Sequence, residues 1–165
     1  MNLSTQNSFN TSILEIEFTF VNPVETIKLF YEGEECIPDE NNKYVFKDHL
    51  MFPSVYKFEM SGKCPRGRDC KVDSEGNILW DRYIIISSLK VDNVMPALSY
   101  LERWGRLHAG TSLKDFRPSN QVIFGNYLGM NGVVELEFEG SDVLEWLMRT
   151  HQFRDPNWQQ NHDYD

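Results

Sequence analysis

Leu14, Ile16, Phe18 and Phe20 are separated one by one by Glu15, Glu17 and Thr19, a period of two that fits an extended strand with one buried face. A helix would put alternate residues on nearly opposite sides of its axis, so this pattern commits residues 13–20 to a sheet. The pattern returns near the other end of the chain, where Val134-Glu135-Leu136-Glu137-Phe138 echoes Leu14-Glu15-Ile16-Glu17-Phe18. Alternating glutamates and apolar residues arise cheaply, and two copies do not establish a repeat.

The remaining strands are weaker signals. Segments 43–47 and 54–60 carry Tyr44, Phe46, Tyr56 and Phe58, with Pro53 limiting the pairing between them. Segment 78–89 contains the run Tyr83-Ile84-Ile85-Ile86 and reads as a central strand buried on both faces. Segments 122–128 and 133–139 read as a hairpin around Gly129-Met130-Asn131-Gly132. Three helices are expected. Asn22-Pro23-Val24-Glu25 offers a cap for a short helix ending before Gly33. Val94, Leu98, Leu101 and Trp104 mark segment 91–107, with Asp92 or Asn93 as cap and Pro96 in the first turn. Ser141 caps a helix over 141–152. Trp104 and Trp146 fall on the apolar stripes and are expected in the core.

A chain of 165 residues, 41% hydrophobic and 13% aromatic, has material for one real core and hardly for two. The expected fold is therefore α+β: a single domain with a mostly antiparallel twisted sheet of about five to seven strands and two longer helices packed on it. It should span residues 13–153, with 1–12 and 154–165 as loose ends.

Charge is segregated along the chain. Residues 1–62 hold ten acidic and four basic residues, net −6; residues 63–118 hold seven and ten, net +3; residues 119–165 hold eight and two, net −6. Nucleic acid is repelled by acidic segments, so it is a candidate partner only through residues 63–71. There Lys63, Arg66, Arg68 and Lys71 surround one Asp69, a Gly- and Pro-containing loop able to offer Arg forks and backbone amides to phosphate. The same cations are also able to pair with the protein's own carboxylates or simply face solvent.

Cys36, Cys64 and Cys70 are an odd count expected as thiols in a reducing compartment. Cys64 and Cys70 lie too far apart for a zinc knuckle and have no second pair. None of His49, His108, His151 and His162 falls in a ligand or nucleophile spacing. No metal, cofactor or catalytic residue is expected, and a lone histidine such as His108, beside Arg106, reads as a surface or capping residue. Residues 1–12 lack the basic start and apolar run of a secretory signal, and no stretch reaches the length of a membrane span, so a cytoplasmic protein is expected.

Val55-Tyr56-Lys57-Phe58, followed by Gly62-Lys63, Arg66 and Arg68, resembles the opening of the GIY-YIG nucleases over a short stretch. The Tyr-Ile-Gly strand that should come between Gly62 and Arg66 is missing, and membership does not follow.

These observations favour a non-catalytic acidic binding protein, of inhibitor, immunity or antitoxin type, that covers a basic partner such as a nuclease toxin. Its binding residues are expected among Glu15, Glu17, Glu135, Glu137 and Glu139, which form one patch if their strands are neighbours. The acidic loop of Glu34, Glu35, Asp39 and Glu40 is a rival patch, and Trp158 is a tail anchor. The alternative is a small nucleic-acid-binding or nuclease-like protein acting through Lys63, Arg66, Arg68 and Lys71.

Overall fold

The structure, a computed structural model, describes residues 11–64, 66–96, 100–118 and 121–154. Its strands are β1 (Ser12–Val21), β2 (Lys28–Tyr31), β3 (Glu34–Cys36), β4 (Lys43–Leu50), β5 (Ser54–Ser61), β6 (Cys70–Val72), β7 (Ile78–Asp81) and β8 (Tyr83–Val91), followed by β9 (Gly105–Ala109), β10 (Gln121–Ile123), β11 (Tyr127–Leu128) and β12 (Gly132–Phe138). Helix α1 (Tyr100–Trp104) precedes β9 and helix α2 (Val143–Arg154) follows β12. A four-stranded sheet, β11-β8-β1-β4, packs on a six-stranded sheet, β10-β9-β12-β5-β2-β3, while β6 and β7 form a separate hairpin. The pairings are antiparallel.

The period of two builds the interior. Leu14, Ile16, Phe18 and Phe20 of β1 point inward beside Ile84, Ile86, Leu89 and Val91 of β8, and all are buried. Tyr56, Phe58 and Met60 of β5 and Val134, Leu136 and Phe138 of β12 meet them from the other sheet in one continuous core. Phe18 and Phe58 have ring centroids 4.8 Å apart, and Phe46 meets Phe58 at 5.1 Å, so aromatic pairs stitch the layers. Trp146, fully buried, anchors α2 against Tyr100 and Phe138, as expected of the helix stripe. Trp104 is also buried.

The α+β expectation is wrong: this is a mostly β, sandwich-like fold whose helices have 5 and 12 residues. The expected helix before Gly33 is instead β2, because its residues find β5 and β3 as hydrogen-bonding neighbours. Asn22 has φ 51° and starts a turn closed by the Ile27 amide donating to the Val24 carbonyl at 3.1 Å. The long helix over 91–107 fails for a similar reason. Asp92 and Asn93 have φ 50° and 64°, left-handed values that Asp and Asn tolerate, and they form a tight turn between Val91 and Val94 rather than a cap. Only α1 is helical among the described residues of that segment, and β9 takes its end.

Segment 78–89 divides into β7 and β8, and β8 alternates in burial rather than being covered on both faces. The expected hairpin around residues 129–132 is not a hairpin, because β11 pairs with β8 in one sheet and β12 with β5 and β9 in the other. Ser12 lies inside β1 and is buried, so the domain begins before residue 13. Asp142 caps α2, taking the Glu145 amide at 2.8 Å; Ser141 precedes the cap and donates to the Glu145 carboxylate.

Candidate functional site

The two glutamate-bearing strands are not neighbours: β1 sits in the four-stranded sheet and β12 in the six-stranded one. Their apolar residues face each other across the core, so their glutamates project from opposite sides of the sandwich. The expected single carboxylate patch does not form.

The two outer faces differ in how their charge is met. On the smaller sheet, lysines of the flanking strands answer each glutamate. Lys43 Nζ lies 3.1 Å from Glu17, Lys47 Nζ 3.4 Å from Glu15, and Lys90 Nζ 4.0 Å from Glu15 on the other side. A bulge, where the register slips between Glu17 and Phe18, brings Ser87 Oγ to 2.8 Å from Glu17 Oε1. That hydrogen bond, helped by Lys43, holds the Glu17 carboxyl below the usual range.

On the larger sheet, Glu135, Glu137 and Glu139 share the outward face of β12. Glu135 has Lys57 at 3.8 Å, and Glu139 has Arg149 at 3.2 Å. Glu137 has no cation within ion-pair distance among the described residues. Partial burial first, then the neighbouring Glu139 and Glu135, push its carboxyl up, with Arg106 as the only opposing charge. This is the least neutralised carboxylate of the outer sheet faces. His108, expected at the surface, is buried on the same side beneath Phe116, with Nε2 4.0 Å from Glu135 and neither ring nitrogen hydrogen-bonded. Lys57 stacks on the Phe116 ring at 4.0 Å, so residues 110–118 strap over this part of the sheet.

The acidic loop disperses. Glu35 pairs with Lys28 at 3.1 Å, and Asp39 Oδ1 accepts the Asn41 and Lys43 amides to build the turn into β4. Glu34 and Glu40 remain exposed. Trp158 lies outside the described residues.

The basic loop is largely turned inward. Arg68 grips the fully buried Asp69 at 2.7 Å and donates to the Gly62 carbonyl; Arg82 approaches the same carboxylate at 3.3 Å and the Cys64 amide closes it at 2.7 Å. Lys63 is buried, with Nζ 2.6 Å from Asp81 Oδ1 and 2.5 Å from the Gly129 carbonyl. Tyr127 donates its hydroxyl to the other oxygen of Asp81. Lys71 lies over Trp80 at 5.8 Å, and Arg66 is exposed. The sequence signal that would have revealed this was the pair of aspartates, Asp69 and Asp81, inside the one segment with excess positive charge. Tyr127, Lys57 and Arg106, set around these carboxylates by strand register, carried no such signal.

No group of three or more His, Cys, Asp or Glu side chains is placed to hold a metal ion among the described residues. No described helix is long and apolar enough to cross a membrane.

No protein-family model matches this chain, and no curated protein matches it. Among solved structures it is similar to one described as "vCBM60 in complex with galactobiose", with 10% identity and a TM-score of 0.36, covering 76% of this chain and 97% of that one. Likeness at that level carries neither fold nor ligand across, and the expected immunity or antitoxin kinship finds no support in any of these comparisons.

Proposed function

We propose that this protein is a non-catalytic binding module that presents the outer face of its six-stranded sheet, centred on Glu137, to a cationic protein partner. The observation that carries this reading is the imbalance between the two outer faces. Glu15 and Glu17 are neutralised within the sheet, whereas Glu137 stands between Glu135 and Glu139 with a carboxyl pushed up by burial and repulsion. A lysine or arginine brought by a partner would relieve that repulsion and would be steered toward the net −6 of residues 119–165. The odd cysteine count supports a reducing, cytoplasmic setting. The nucleic-acid alternative loses two of its four cations, since Lys63 and Arg68 are bound to Asp81 and Asp69.

The test is capture from the source cell with the wild-type protein, Glu137→Gln/Glu139→Gln and Glu15→Gln/Glu17→Gln as baits, followed by mass spectrometry. The reading expects one basic protein retained by the wild type and by Glu15→Gln/Glu17→Gln, and released from Glu137→Gln/Glu139→Gln. Equal recovery on all three baits, or recovery of nucleic acid alone, overturns it.

A further inference from the structure

The interior ion pair of the basic loop does not close over itself. It forms the floor of a cleft of about 390 Å³ between the β6–β7 hairpin, β9, β10 and the turn leading into β12. That volume falls in the range of small-molecule sites. The walls are apolar and open to solvent: Ile78 is 61% exposed, Val122 46%, Met130 42% and Tyr127 41%. Four large apolar side chains left uncovered around one concavity are a binding feature rather than scattered surface residues.

The floor sets the chemistry of the occupant. An ammonium carries three donors, and Lys63 Nζ has two acceptors among the described residues, Asp81 Oδ1 and the Gly129 carbonyl. Asp81 by contrast is well supplied, taking Lys63 and the Tyr127 hydroxyl on different oxygens. The Cys70 thiol also bonds to Asp81, and burial and that carboxylate keep it protonated. The site has a spare donor and a filled acceptor. Its formal charges, one ammonium and one carboxylate, cancel, so an anion gains little from Lys63 while meeting Asp81, and a cation meets Lys63 without a free acceptor.

We infer that this cleft binds a small neutral molecule with an apolar body and one carbonyl or hydroxyl oxygen, the oxygen accepting the third proton of the Lys63 ammonium and the body lying against Ile78, Val122, Tyr127 and Met130. This site is separate from the glutamate face of the six-stranded sheet and does not depend on the reading given to that face.

The inference is tested with three probes that share one ring, acetophenone, benzoate and benzylamine, titrated into the full chain and followed by amide chemical shifts. Acetophenone is expected to move the amides of Tyr127, Gly129 and Met130 and to bind about tenfold more tightly than either charged probe, a difference of about 1.4 kcal/mol. Val122→Trp fills the cleft from an exposed position without touching the ion pair, and is expected to abolish those shifts while leaving the melting temperature in place. Lys63→Met/Asp81→Leu is expected to erase the preference for the carbonyl probe. Equal binding of the three probes, shifts confined to other surfaces, or undiminished binding by Val122→Trp overturns the inference.

Discussion

Replacing Lys63 with Met should cost far more stability than removing a loop lysine, because Asp81 would be left behind in the interior. The side chains of Lys63 and Asp81 are 2% and 6% exposed, and their charged atoms are 2.6 Å apart. At an effective dielectric constant of about 20, the attraction at that distance is about 6 kcal/mol, offset by a desolvation cost of several kcal/mol for each ion. Intact, the pair is therefore close to neutral for stability. Broken, it leaves a buried charge whose usual cost is about 3–5 kcal/mol. Asp81 keeps Tyr127 and Cys70 as donors in the variant, which places Lys63→Met near the lower end, about 3 kcal/mol. For a chain of this size that is a fall in Tm of roughly 6–12 °C. Lys63→Met/Asp81→Leu removes both charges and orphans only the Gly129 carbonyl and the Tyr127 hydroxyl, so it should lie within about 2 kcal/mol of wild type. Urea unfolding followed by tryptophan fluorescence measures all three proteins. Additive losses, or a single variant costing under about 1 kcal/mol, would refute the buried coupling.

Trp146→Ala should cost about 3–5 kcal/mol by the same unfolding measurement, since the indole is wholly buried between Tyr100 and Phe138; an unchanged midpoint would show that α2 is not docked. Gly62→Ala should destabilise strongly, because Gly62 has φ +84° and an added Cβ would collide with the Thr26 carbonyl; a wild-type Tm would contradict the packing of β5 against the turn before β2. Stability should depend on pH with opposite signs at Glu17 and Glu137. Glu17, with its carboxyl held low, contributes stability that is present above its ordinary value of 4.5 and lost as pH falls through the lowered one, so Glu17→Gln should flatten the acid limb. Glu137, with its carboxyl held high, favours the folded state below 4.5 and loses that contribution as pH rises through the raised value. Glu137→Gln should therefore leave neutral-pH stability unchanged or raise it by a few tenths of a kcal/mol; a clear loss near pH 7 would refute the repulsion assigned to it.

The strands with strong local signals were legible. The alternation in β1 and β12, the aromatic alternation in β4 and β5, and the core positions of Trp104 and Trp146 follow from side-chain periodicity alone. Strand partnership was not legible, and that is where the fold class went astray. Lys28–Tyr31 carries a helix-start signal but has two sheet neighbours waiting, and tertiary hydrogen bonding outweighs a local cap. Asp92 and Asn93 are equally good as helix caps and as left-handed turn residues; nothing local distinguishes the two uses, and the pairing of β8 with β1 selects the turn. The candidate sites show the same division. Outward projection of Glu15, Glu17, Glu135 and Glu137 follows from the strand period, whereas their assignment to two opposite faces, and the burial of Lys63 on Asp81, depend on contacts far apart in sequence.

The short run between β10 and β11 ties the two layers together. Val122 pairs with Leu107 in the larger sheet, and five residues later Tyr127 pairs with Ile85 in the smaller one. Between them the Phe124 amide donates to the Gly105 carbonyl at 3.4 Å, the Ile86 amide donates to the Asn126 carbonyl at 2.9 Å, and the Phe124 ring is buried in the shared core. A segment this short has no slack, so neither layer can slip along the other without breaking hydrogen bonds in both. Local opening that begins at β9 is transmitted to β8 through covalent chain rather than through packing alone. Amide exchange at Leu107 and at Ile86 should then report a single opening event with one common free energy, and the sandwich should behave as one cooperative unit instead of two sheets that loosen in turn.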